Sequence, residues 1–438
     1  MSQPRNGAPV PRHRRAAKTA WERINEHPLA RVGPGLITGA ADDDPSGIAT
    51  YSQAGAQFGF GLLWTMPLTF PLMAAVQSMC ARIGRVTGKG LAANIKGALP
   101  PIVLQGVVLL LLIANTLNIA ADVAAMGETA ELVTGIDRHA ATLVFVLATV
   151  LLQVFVPYHR YVYFLKWLTL SLLSYVAVLF TVHIPWGEVL RHSVWPRLTF
   201  DADAATVIVG VFGTTISPYL FFWQASEEVE DMQKGRRRAA PLVRDGRAAS
   251  RELRRIGWDT WSGMFYSNMT AYVIILATAV TLNQAGVTNI ETAAQAASAL
   301  RPLAGDFAFI LFALGILGVG LIGVPVLAGS GAYALCEAMG WKWGLERKAT
   351  DARGFYGVIA ASVLIGLVIQ YSPINPMRAL FWSAVINGIV AVPLLAVITI
   401  VVSKKSVMGA YTASRPIIVL GWITTFVMGA AAVRMFMP

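Results

Sequence analysis

The stretch Ala41-Asp42-Asp43-Asp44-Pro45-Ser46-Gly47 places three acids, a proline and a glycine inside an otherwise apolar segment, residues 34–58. An Asp at the centre of a membrane-spanning helix costs about 2.5–3.5 kcal/mol, so three adjacent acids need a wet cavity or a cation. Pro45 lacks a backbone N–H, and Gly47 tolerates unwound dihedral angles. The stretch therefore predicts a helix that is interrupted in mid-membrane, with free carbonyls beside carboxylates.

A second stretch of the same kind lies in the sixth apolar segment, where Gly213-Thr214-Thr215-Ile216-Ser217-Pro218-Tyr219 places a proline and three hydroxyl groups at mid-depth. Interrupted helices at matching positions of two halves are typical of inverted repeats with a binding site at the bilayer midplane. A plain proline kink is a sufficient explanation for Pro325 and Pro393. It does not explain the acids before Pro45, so we interpret the two stretches as parts of one site.

The composition excludes several classes of protein. Of 438 residues, 55% are hydrophobic and 13% are charged, whereas a soluble domain carries about 25% charged residues. A soluble enzyme, a disordered protein and a nucleic-acid binder are therefore excluded, and a polytopic membrane protein remains. Cys80 and Cys336 lie in apolar stretches without a metal-ligand spacing, so we interpret both as small buried hydrophobes. The basic N-terminus lacks the pattern of a signal peptide.

Apolar stretches long enough to cross a bilayer number eleven. The predicted spans are 34–58, 61–83, 101–126, 139–157, 161–184, 205–227, 258–283, 306–336, 354–372, 376–402 and 415–437. With the N-terminus inside, only six of the 35 Lys and Arg residues fall outside, namely Arg138, Arg191, Arg197, Arg301, Arg378 and Arg434. Lys and Arg concentrate in cytoplasmic loops, so the sequence predicts a cytoplasmic N-terminus and an external C-terminus.

The spans divide the chain into four parts. We expect a basic cytoplasmic segment over 1–31 and a ten-helix core over 32–403, with repeats at about 32–184 and 205–403. The eleventh helix follows at 415–437, and an Arg-rich cytoplasmic loop covers 228–257. This loop is a solvated linker that reinforces topology, or it binds a partner or anionic lipid. The sequence contains no Gly-rich phosphate loop, which argues against a nucleotide as ligand or energy source.

Three runs make the sequence recognisable. Gly33-Pro34-Gly35-Leu36, the run Asp44-Pro45-Ser46-Gly47-Ile48-Ala49-Thr50-Tyr51-Ser52-Gln53-Ala54-Gly55-Ala56-Gln57-Phe58-Gly59, and Thr87-Gly88-Lys89 closely resemble the first two spans of the Nramp divalent-metal transporters. Span count, loop spacing and Ser217-Pro218-Tyr219 extend the resemblance over nearly the whole chain. The resemblance implies an all-α membrane protein of the LeuT-type fold, with a 5+5 inverted repeat, broken helices 1 and 6, and an eleventh helix. It also implies inward transport of divalent metal, usually with protons.

The sequence departs from the family pattern in its two motifs. The first-span motif of the family is Asp-Pro-Gly-Asn, so Asp44 keeps the carboxylate while Gly47 stands in the place of the ligand asparagine. The sixth-span motif is Met-Pro-His, and Ser217 and Tyr219 replace the thioether and the imidazole. Thr214 stands where the family usually offers an alanine carbonyl.

The third span departs in the same direction. Asp122 matches an acid of the family's proton route, but Asn115 and Ala125 fall where the family pattern has glutamates. Gln224 replaces a second sixth-span histidine. All six histidines lie in the tail, in loops or near span ends, so no imidazole is expected at the midplane as a proton relay.

These departures predict the class of cation. Thioether sulfur favours softer metals, whereas carboxylate, hydroxyl, carbonyl and water oxygens suit Mg²⁺, Ca²⁺ and Mn²⁺. Mg²⁺ dehydrates reluctantly and keeps several waters, and small residues at 47 and 217 predict a wider cavity for a hydrated ion. The pattern resembles the Nramp-related magnesium transporters, a branch that carries Mg²⁺ and also Mn²⁺. We therefore expect import of hydrated Mg²⁺ by alternating access without proton coupling, with the metal as substrate and no cofactor.

The candidate ion ligands cluster at the two interruptions. Asp44 is the leading candidate, as a direct or water-mediated ligand, and its alternative role is a helix cap. Thr214 and Ser217 contact the ion or its water through a hydroxyl or a carbonyl freed by Pro218, or they bond back to the preceding turn. Ala41 and Gly47 contribute backbone only.

The remaining acids and polar groups are candidates for the vestibule, the gate or a proton route. Asp43, also a candidate ligand, and Asp42 raise the local cation concentration, or they cap the broken helix or form ion pairs. Further gate or proton-route candidates are Asp122, Tyr219, Gln224, Glu227, Glu228 and Asn387. A structural ion pair is the alternative for Asp122 and for the two glutamates, and an interhelical hydrogen bond is the alternative for Asn387.

Two other functions stay open. A proton-coupled Mn²⁺ importer keeps the fold and the usual family activity, and an organic-solute symporter uses the same scaffold with a different ligand. Three acids beside the break argue against an anionic solute. An enzyme, a nucleic-acid partner, a nucleotide and an obligate protein partner are not expected. The expected location is a bacterial plasma (inner) membrane, in contact with the lipid bilayer.

Overall fold

The computed structural model describes residues 34–156, 172–195, 202–233, 240–246, 249–371, 373 and 375–437. Helices dominate these residues, and no strand occurs among them. The basic segment predicted over 1–31 and residues 161–171 of the span predicted over 161–184 lie outside the described residues. The first span is broken into two short helices within residues 34–58, and the longer helices that follow it in the sequence pack around it.

The helix bounds follow the predicted spans closely. The longer helices are α1 (Pro34–Asp42), α2 (Pro45–Phe58), α3 (Thr65–Thr87), α4 (Leu91–Ala98), α5 (Pro101–Thr134), α6 (Arg138–Phe155), α7 (Trp186–Val194), α8 (Ala202–Thr215), α9 (Pro218–Gln233), α10 (Ala249–Thr278), α11 (Ala308–Met339), α12 (Arg353–Ile369), α13 (Pro376–Ser403) and α14 (Arg415–Met435). Short helical pieces lie at Gly59–Leu62, Leu173–Val178, Ala279–Asn283, Ala293–Ala297, Ser298–Leu300, Arg301–Ala304, Gly305–Phe307 and Lys405–Met408.

Both predicted interruptions are confirmed. α1 ends at Asp42 and α2 begins at Pro45, the first helical position, where a missing N–H costs nothing. Asp44 is the N-cap of α2, with extended φ −70° and ψ 171°. α8 ends at Thr215 and α9 begins at Pro218 in the same manner. Each proline therefore ends one half-helix and starts the next.

The chain reverses sharply between the first two predicted spans. The helical pair Pro45–Leu62 and Thr65–Thr87 is bent by 113°. Gly59 adopts φ +56°, a left-handed value that glycine reaches without steric cost. Asn283 Nδ2 donates to the Ala56 carbonyl at 2.8 Å, which satisfies an acceptor that the end of α2 leaves free. The first span therefore consists of α1 and α2 together, since α1 alone has nine residues.

α10 runs beside the whole first span. A Cβ on Gly35 would lie 2.7 Å from the Thr260 backbone, and a Cβ on Gly39 would meet the Gly263 backbone. Asp259 Oδ2 accepts a hydrogen bond from Gly35 N at 2.8 Å. The residue numbers of the contacting positions rise together on the two helices, so α1 and α10 run parallel and are closely packed. Asp42, the last residue of α1, and Asp43 consequently lie beside the middle of α10.

α8 packs on α13 through two glycines. A Cβ on Gly213 would overlap the Ala384 carbonyl oxygen, and a Cβ on Gly388 would lie 2.5 Å from the Val209 carbonyl oxygen. The residue numbers fall on one helix as they rise on the other, so the two helices are antiparallel. This close approach brings the end of α8 next to the polar face of α13 that carries Ser383 and Asn387.

Several helices have the length and apolar composition of membrane spans. Within the described residues, seven helices meet that criterion, and the bent pair at Pro45–Leu62 and Thr65–Thr87 raises the number to as many as eight. α12, predicted as the ninth span, is a shorter apolar helix. The loop predicted over 228–257 needs correction, because α9 continues to Gln233 and α10 begins at Ala249. Among the described residues of this stretch, Glu228 lies on α9 and Glu252 and Arg255 lie on α10, where they form ion pairs, so low hydropathy at these positions did not indicate a loop.

We expect Gly213→Ala to lower the stability of the purified protein by about 1–3 kcal/mol, because the added methyl forces α8 and α13 apart. Gly106→Ala is the control, because nothing lies within 4 Å of a Cβ there and alanine favours a helix. Thermal unfolding in detergent measures both variants. Equal stability of the Gly213 and Gly106 variants would contradict the packing of α8 on α13.

Candidate cation site

The Asp44 carboxylate lies at the N-terminus of α2 and accepts two local hydrogen bonds. Its Oδ1 receives the Ser46 hydroxyl at 2.6 Å and the Gly47 N–H at 2.8 Å. This is the geometry of an N-cap, and the partial positive charge of the helix terminus favours the anion. The capping role proposed as the alternative for Asp44 is therefore present, and it uses only one of the two carboxylate oxygens.

The other oxygen of Asp44 faces two different helices. Asn118 Nδ2 of α5 lies 3.0 Å from Asp44 Oδ2, and the Tyr219 hydroxyl of α9 lies 3.2 Å from it. The same Tyr219 hydroxyl lies 3.1 Å from the Ala41 carbonyl oxygen. Tyr219 therefore connects the sixth-span interruption directly to both sides of the first-span interruption.

Each proline leaves one carbonyl oxygen without its usual partner. Pro45 cannot donate to Ala41 and Pro218 cannot donate to Thr214, since the helical bond runs from residue i to residue i−4. A hydroxyl group occupies each vacant acceptor. Tyr219 reaches Ala41, and Ser217 Oγ lies 2.6 Å from the Thr214 carbonyl and 2.9 Å from the Gly213 carbonyl. Ser217 thus bonds back to the preceding turn, which was its alternative interpretation.

Gly47 and Thr214 bring the two interruptions into contact. A Cβ on Gly47 would lie 3.1 Å from Thr214 Oγ1. Among the described residues this hydroxyl has no hydrogen-bond partner, although Thr214 is only 1% exposed. Tyr51 adds a second link between the same helices, since its hydroxyl lies 3.1 Å from Thr215 Oγ1. The sequence-based grouping of these two stretches agrees with this placement.

Asp42 and Asp43 turn away from Asp44 toward α10. The Ser267 hydroxyl lies 2.5 Å from Asp42 Oδ2 and 3.1 Å from Asp43 Oδ1. Both acids are at most 2% exposed, so they do not line an open vestibule in this structure. Asp122 is fully buried on α5, one turn beyond Asn118. Within the described part of the chain, the ion pairs lie elsewhere and none includes these acids.

The candidates that follow Tyr219 on α9 lie away from Asp44. Gln224 Oε1 contacts the Thr38 hydroxyl at 2.5 Å, which ties α9 to α1. Glu228 forms a 2.7 Å ion pair with Arg255, and Glu227 lies 3.5 Å from the Tyr333 hydroxyl. These residues hold α9 against its neighbours, and the structure does not bring them to the interruptions.

Asn387 lies one turn after Ser383 on α13. It is 1% exposed, and neither polar atom of its amide has a hydrogen-bond partner among the described residues. Its neighbour Gly388 contacts α8 close to Gly213. The described residues offer it no interhelical hydrogen bond, which was the alternative proposed from the sequence, so Asn387 stays a candidate for contact with a solute.

Residues that sequence reasoning missed complete the site. Ser46 and Asn118 contact Asp44, Ser267 contacts the other two acids, and Ser383 Oγ lies 2.6 Å from Asn118 Oδ1. One signal was available, because positions 118 and 122 share a face of a long apolar helix. A polar pair at that spacing indicates a buried polar contact rather than a lipid-facing surface.

The site is closed in this structure. Ala41, Asp44, Thr214 and Ser217 are each 1% exposed. A cavity of about 300 Å³ begins nearby, lined on α2 by Ala49, Gln53 and Gln57 and on α13 by residues of its first two turns. The wide cavity expected around a hydrated ion is therefore not present at Asp44 in this conformation.

A family comparison identifies the chain. The model of the family described as Nramp, natural resistance-associated macrophage protein-like, matches residues 35–438. The chain belongs to the Nramp family. It is 27% identical over 423 residues to the divalent metal cation transporter MntH of Acidiphilium cryptum, covering 91% of this chain and 87% of that protein. It is 26% identical to the MntH of Agrobacterium fabrum, covering 93% and 87%.

Solved structures confirm the predicted fold class. The manganese transporter of Eremococcus coleocola superposes with a TM-score of 0.71 at 16% identity, covering 97% of this chain and 88% of that one. Mhp1, a nucleobase-cation-symport-1 family transporter, superposes with a TM-score of 0.54 at 14% identity, covering 92% of each chain. The Nramp chain described here therefore has the LeuT-type fold with two interrupted helices.

Tyr219→Phe removes the hydroxyl that a bound cation has to displace from Asp44 Oδ2. We expect the empty protein to lose about 1 kcal/mol of stability and its apparent affinity for Mn²⁺ to rise about fivefold. Thermal unfolding with and without Mn²⁺ measures both effects. Tyr51→Phe is the matched control, because it removes a buried hydroxyl that links α2 to Thr215 of α8 without touching Asp44, and it should change stability alone. Weaker Mn²⁺ binding by the Tyr219 variant would contradict displacement.

Proposed function

We propose that this protein is a secondary transporter that imports hard divalent cations, Mg²⁺ first and also Mn²⁺, by alternating access. The observation that carries the proposal is the oxygen-rich site at the two helix interruptions. Asp44, the Ala41 and Thr214 carbonyls and the Thr214 hydroxyl converge there from three half-helices, and the Tyr219 hydroxyl of the fourth occupies the Asp44 oxygen that a cation would take. Oxygen donors with a single carboxylate suit a cation that keeps part of its water.

The charge of the site supports a cation as substrate. Asp42, Asp43, Asp44 and Asp122 are buried in the membrane-spanning core, and none takes part in an ion pair within the described ranges. Buried carboxylates without an ion pair are costly at this depth, and a divalent cation bound at Asp44 offsets part of their negative charge. An anionic organic solute would add charge of the wrong sign, which argues against the organic-solute symporter.

The closed site supports alternating access. Asp44 is reachable from neither side at 1% exposure, so ion entry needs movement of α2, α8 or their neighbours. The cavity beside Ala49 and Gln53 is the natural entrance, because it ends five residues along α2 from Asp44. Gln224 and Glu228 fasten α9 at the opposite end, so release there requires these contacts to part.

The donor set alone supports the choice of Mg²⁺, whereas the names of the relatives support a divalent metal cation and Mn²⁺. The matched proteins are named for divalent metal cations and for manganese. Ser217 and Tyr219 stand in the places of the family's thioether and imidazole, so the site lacks the ligands that favour softer metals. We therefore propose that this chain belongs to a magnesium-carrying branch of the family.

Uptake without protons is driven by the membrane potential. Moving two positive charges inward across about 100 mV releases about 4.6 kcal/mol. Proton-coupled Mn²⁺ import is the second candidate function, and the burial of Asp122 and of the Asp42 and Asp43 pair favours it. A carboxylate can carry a transported proton only if the bound cation does not neutralise it. Acidification of the liposome interior therefore distinguishes the two candidate functions.

The proposed setting is the inner membrane of a bacterium, with a cytoplasmic N-terminus and an external C-terminus. The core over 32–403 then carries transport, and residues 415–437 form an added helix. The cavity beside Gln53 faces outside in this orientation, and the basic loop before α10 faces the cytoplasm. Divalent metal ions and the bilayer are the proposed partners.

Asp44→Asn tests the proposal while it preserves the fold. Asparagine caps a helix as well as aspartate does but carries no charge, so the variant separates capping from cation binding. In liposomes with internal Mg²⁺, Mn²⁺ and pH dyes, we expect at least a tenfold slower uptake of both cations, because the carboxylate is lost. Asp203→Asn, an exposed acid in the first turn of α8, is the control and should leave uptake unchanged.

The same assay distinguishes the candidates. Uptake of Mg²⁺ without acidification supports the uncoupled magnesium transporter. Uptake of Mn²⁺ with acidification and without a Mg²⁺ signal contradicts it and supports proton-coupled import. Unchanged uptake by the Asp44 variant would contradict the site itself.

A further inference from the structure

Asn118 holds a position that none of the site predictions included. It lies on α5, is fully buried, and its Nδ2 donates to Asp44 Oδ2 at 3.0 Å. Its Oδ1 accepts the Ser383 hydroxyl of α13 at 2.6 Å. One amide therefore connects the carboxylate at the start of α2 with two other helices.

The partners dictate which way this amide faces in the empty site. A carboxylate accepts hydrogen bonds and cannot donate, so the NH₂ group of Asn118 turns to Asp44. Ser383 offers a hydroxyl proton to the other end of the amide. That hydroxyl has a second acceptor, however, because Ser383 Oγ also lies 2.8 Å from the Leu380 carbonyl oxygen. The single proton of Ser383 can serve either acceptor.

A cation on Asp44 reverses the preference of the amide. The NH₂ group is the positive end of the amide dipole and is repelled by a cation at Oδ2, whereas the amide oxygen is attracted. A half-turn of the Asn118 side-chain amide brings Oδ1 to the cation and Nδ2 to Ser383. Ser383 then accepts from Nδ2 and donates to Leu380, so every polar group keeps a partner.

We propose that Asn118 is a direct ligand of the transported divalent cation. Ser383 permits the rotation of the Asn118 amide, because its hydroxyl can donate to Oδ1 before the rotation and accept from Nδ2 after it. The inference rests on the proposed function and deepens it by adding a neutral oxygen donor from α5. Amide oxygens are normal ligands of hard divalent cations. Cation binding in this arrangement joins α2 to α5 through the ion itself.

Asn115 provides a matched comparison on the same helix. It is also buried, but its Nδ2 donates to the Leu327 carbonyl and to Ser330 Oγ, both at 2.8 Å. Its partners belong to α11, and no contact joins it to Asp44 among the hydrogen bonds of the described residues. A substitution at 115 therefore perturbs the same helix without reaching the cation.

The test replaces each amide by a thiol and measures Cd²⁺ binding. A sulfur atom that touches the ion gives the site a soft ligand, so Asn118→Cys should bind Cd²⁺ about tenfold more tightly than the parent protein. Asn115→Cys should show no gain. Isothermal titration in detergent gives the affinities, and X-ray absorption of the bound Cd²⁺ shows a sulfur neighbour in the 118 variant. The same measurements on the parent protein give the background from the two native cysteines, the buried Cys80 and Cys336.

A structural role alone predicts a different result. If Asn118 only positions Asp44, its replacement weakens Cd²⁺ and Mn²⁺ binding together and no sulfur neighbour is seen, which would overturn the proposal. If the cysteine variant does not fold, Asn118→Met supplies a flexible thioether with the same expected gain. Failure of the proposed function is recognised separately, by comparing Asp44→Asn with the parent protein. Mn²⁺ binding that survives Asp44→Asn would reject the site, whatever the result at Asn118.

Discussion

The hydrogen bond between the Tyr219 hydroxyl and the Asp44 carboxylate joins two helix interruptions that lie 175 residues apart in the sequence. Both interruptions exist because a proline cannot donate a backbone hydrogen bond, and each frees a carbonyl oxygen that a side-chain hydroxyl contacts in this structure. The cross-link fixes the distance between them, so the freed carbonyls and the carboxylate form one site. The close glycine contacts of α1 with α10 and of α8 with α13 hold the four half-helices in that position.

Burial of negative charge is the reason for proposing a cation at this site. Asp44 is stabilised by the N-terminus of α2 and by four hydrogen-bond donors, Ser46, Gly47, Asn118 and Tyr219. Two of these donors come from other helices and occupy the oxygen that faces the second interruption. The empty site is thus satisfied by the protein itself, and the ion has to replace donors that can turn away. In the proposed alternating-access mechanism, closure of the site and cation binding depend on the same few hydrogen bonds.

The sequence predicted the interruptions and the helices well, because both follow from local chemistry. Proline, glycine and adjacent acids mark a break whatever surrounds them, and long apolar runs mark the spans. The role of Ser217 was harder to predict, because its hydroxyl could contact a cation or bond to the carbonyl that Pro218 frees. The structure shows the bond to the Thr214 carbonyl. The loop over 228–257 was predicted too long, because charges such as Glu228 and Arg255 pair between helices and lower the hydropathy there. Asn118 was missed because its role depends on the register of α5 against α2.

The position of the bound ion tests the central claim most directly. Anomalous diffraction from crystals grown with Mn²⁺ locates the metal without assumptions about coupling or selectivity. We predict one strong peak between the start of α2 and the end of α8, within bonding distance of an Asp44 oxygen. A peak located elsewhere, for example beside Glu227 and Glu228 on α9, with the Asp44 carboxylate still held by Tyr219, would contradict the account.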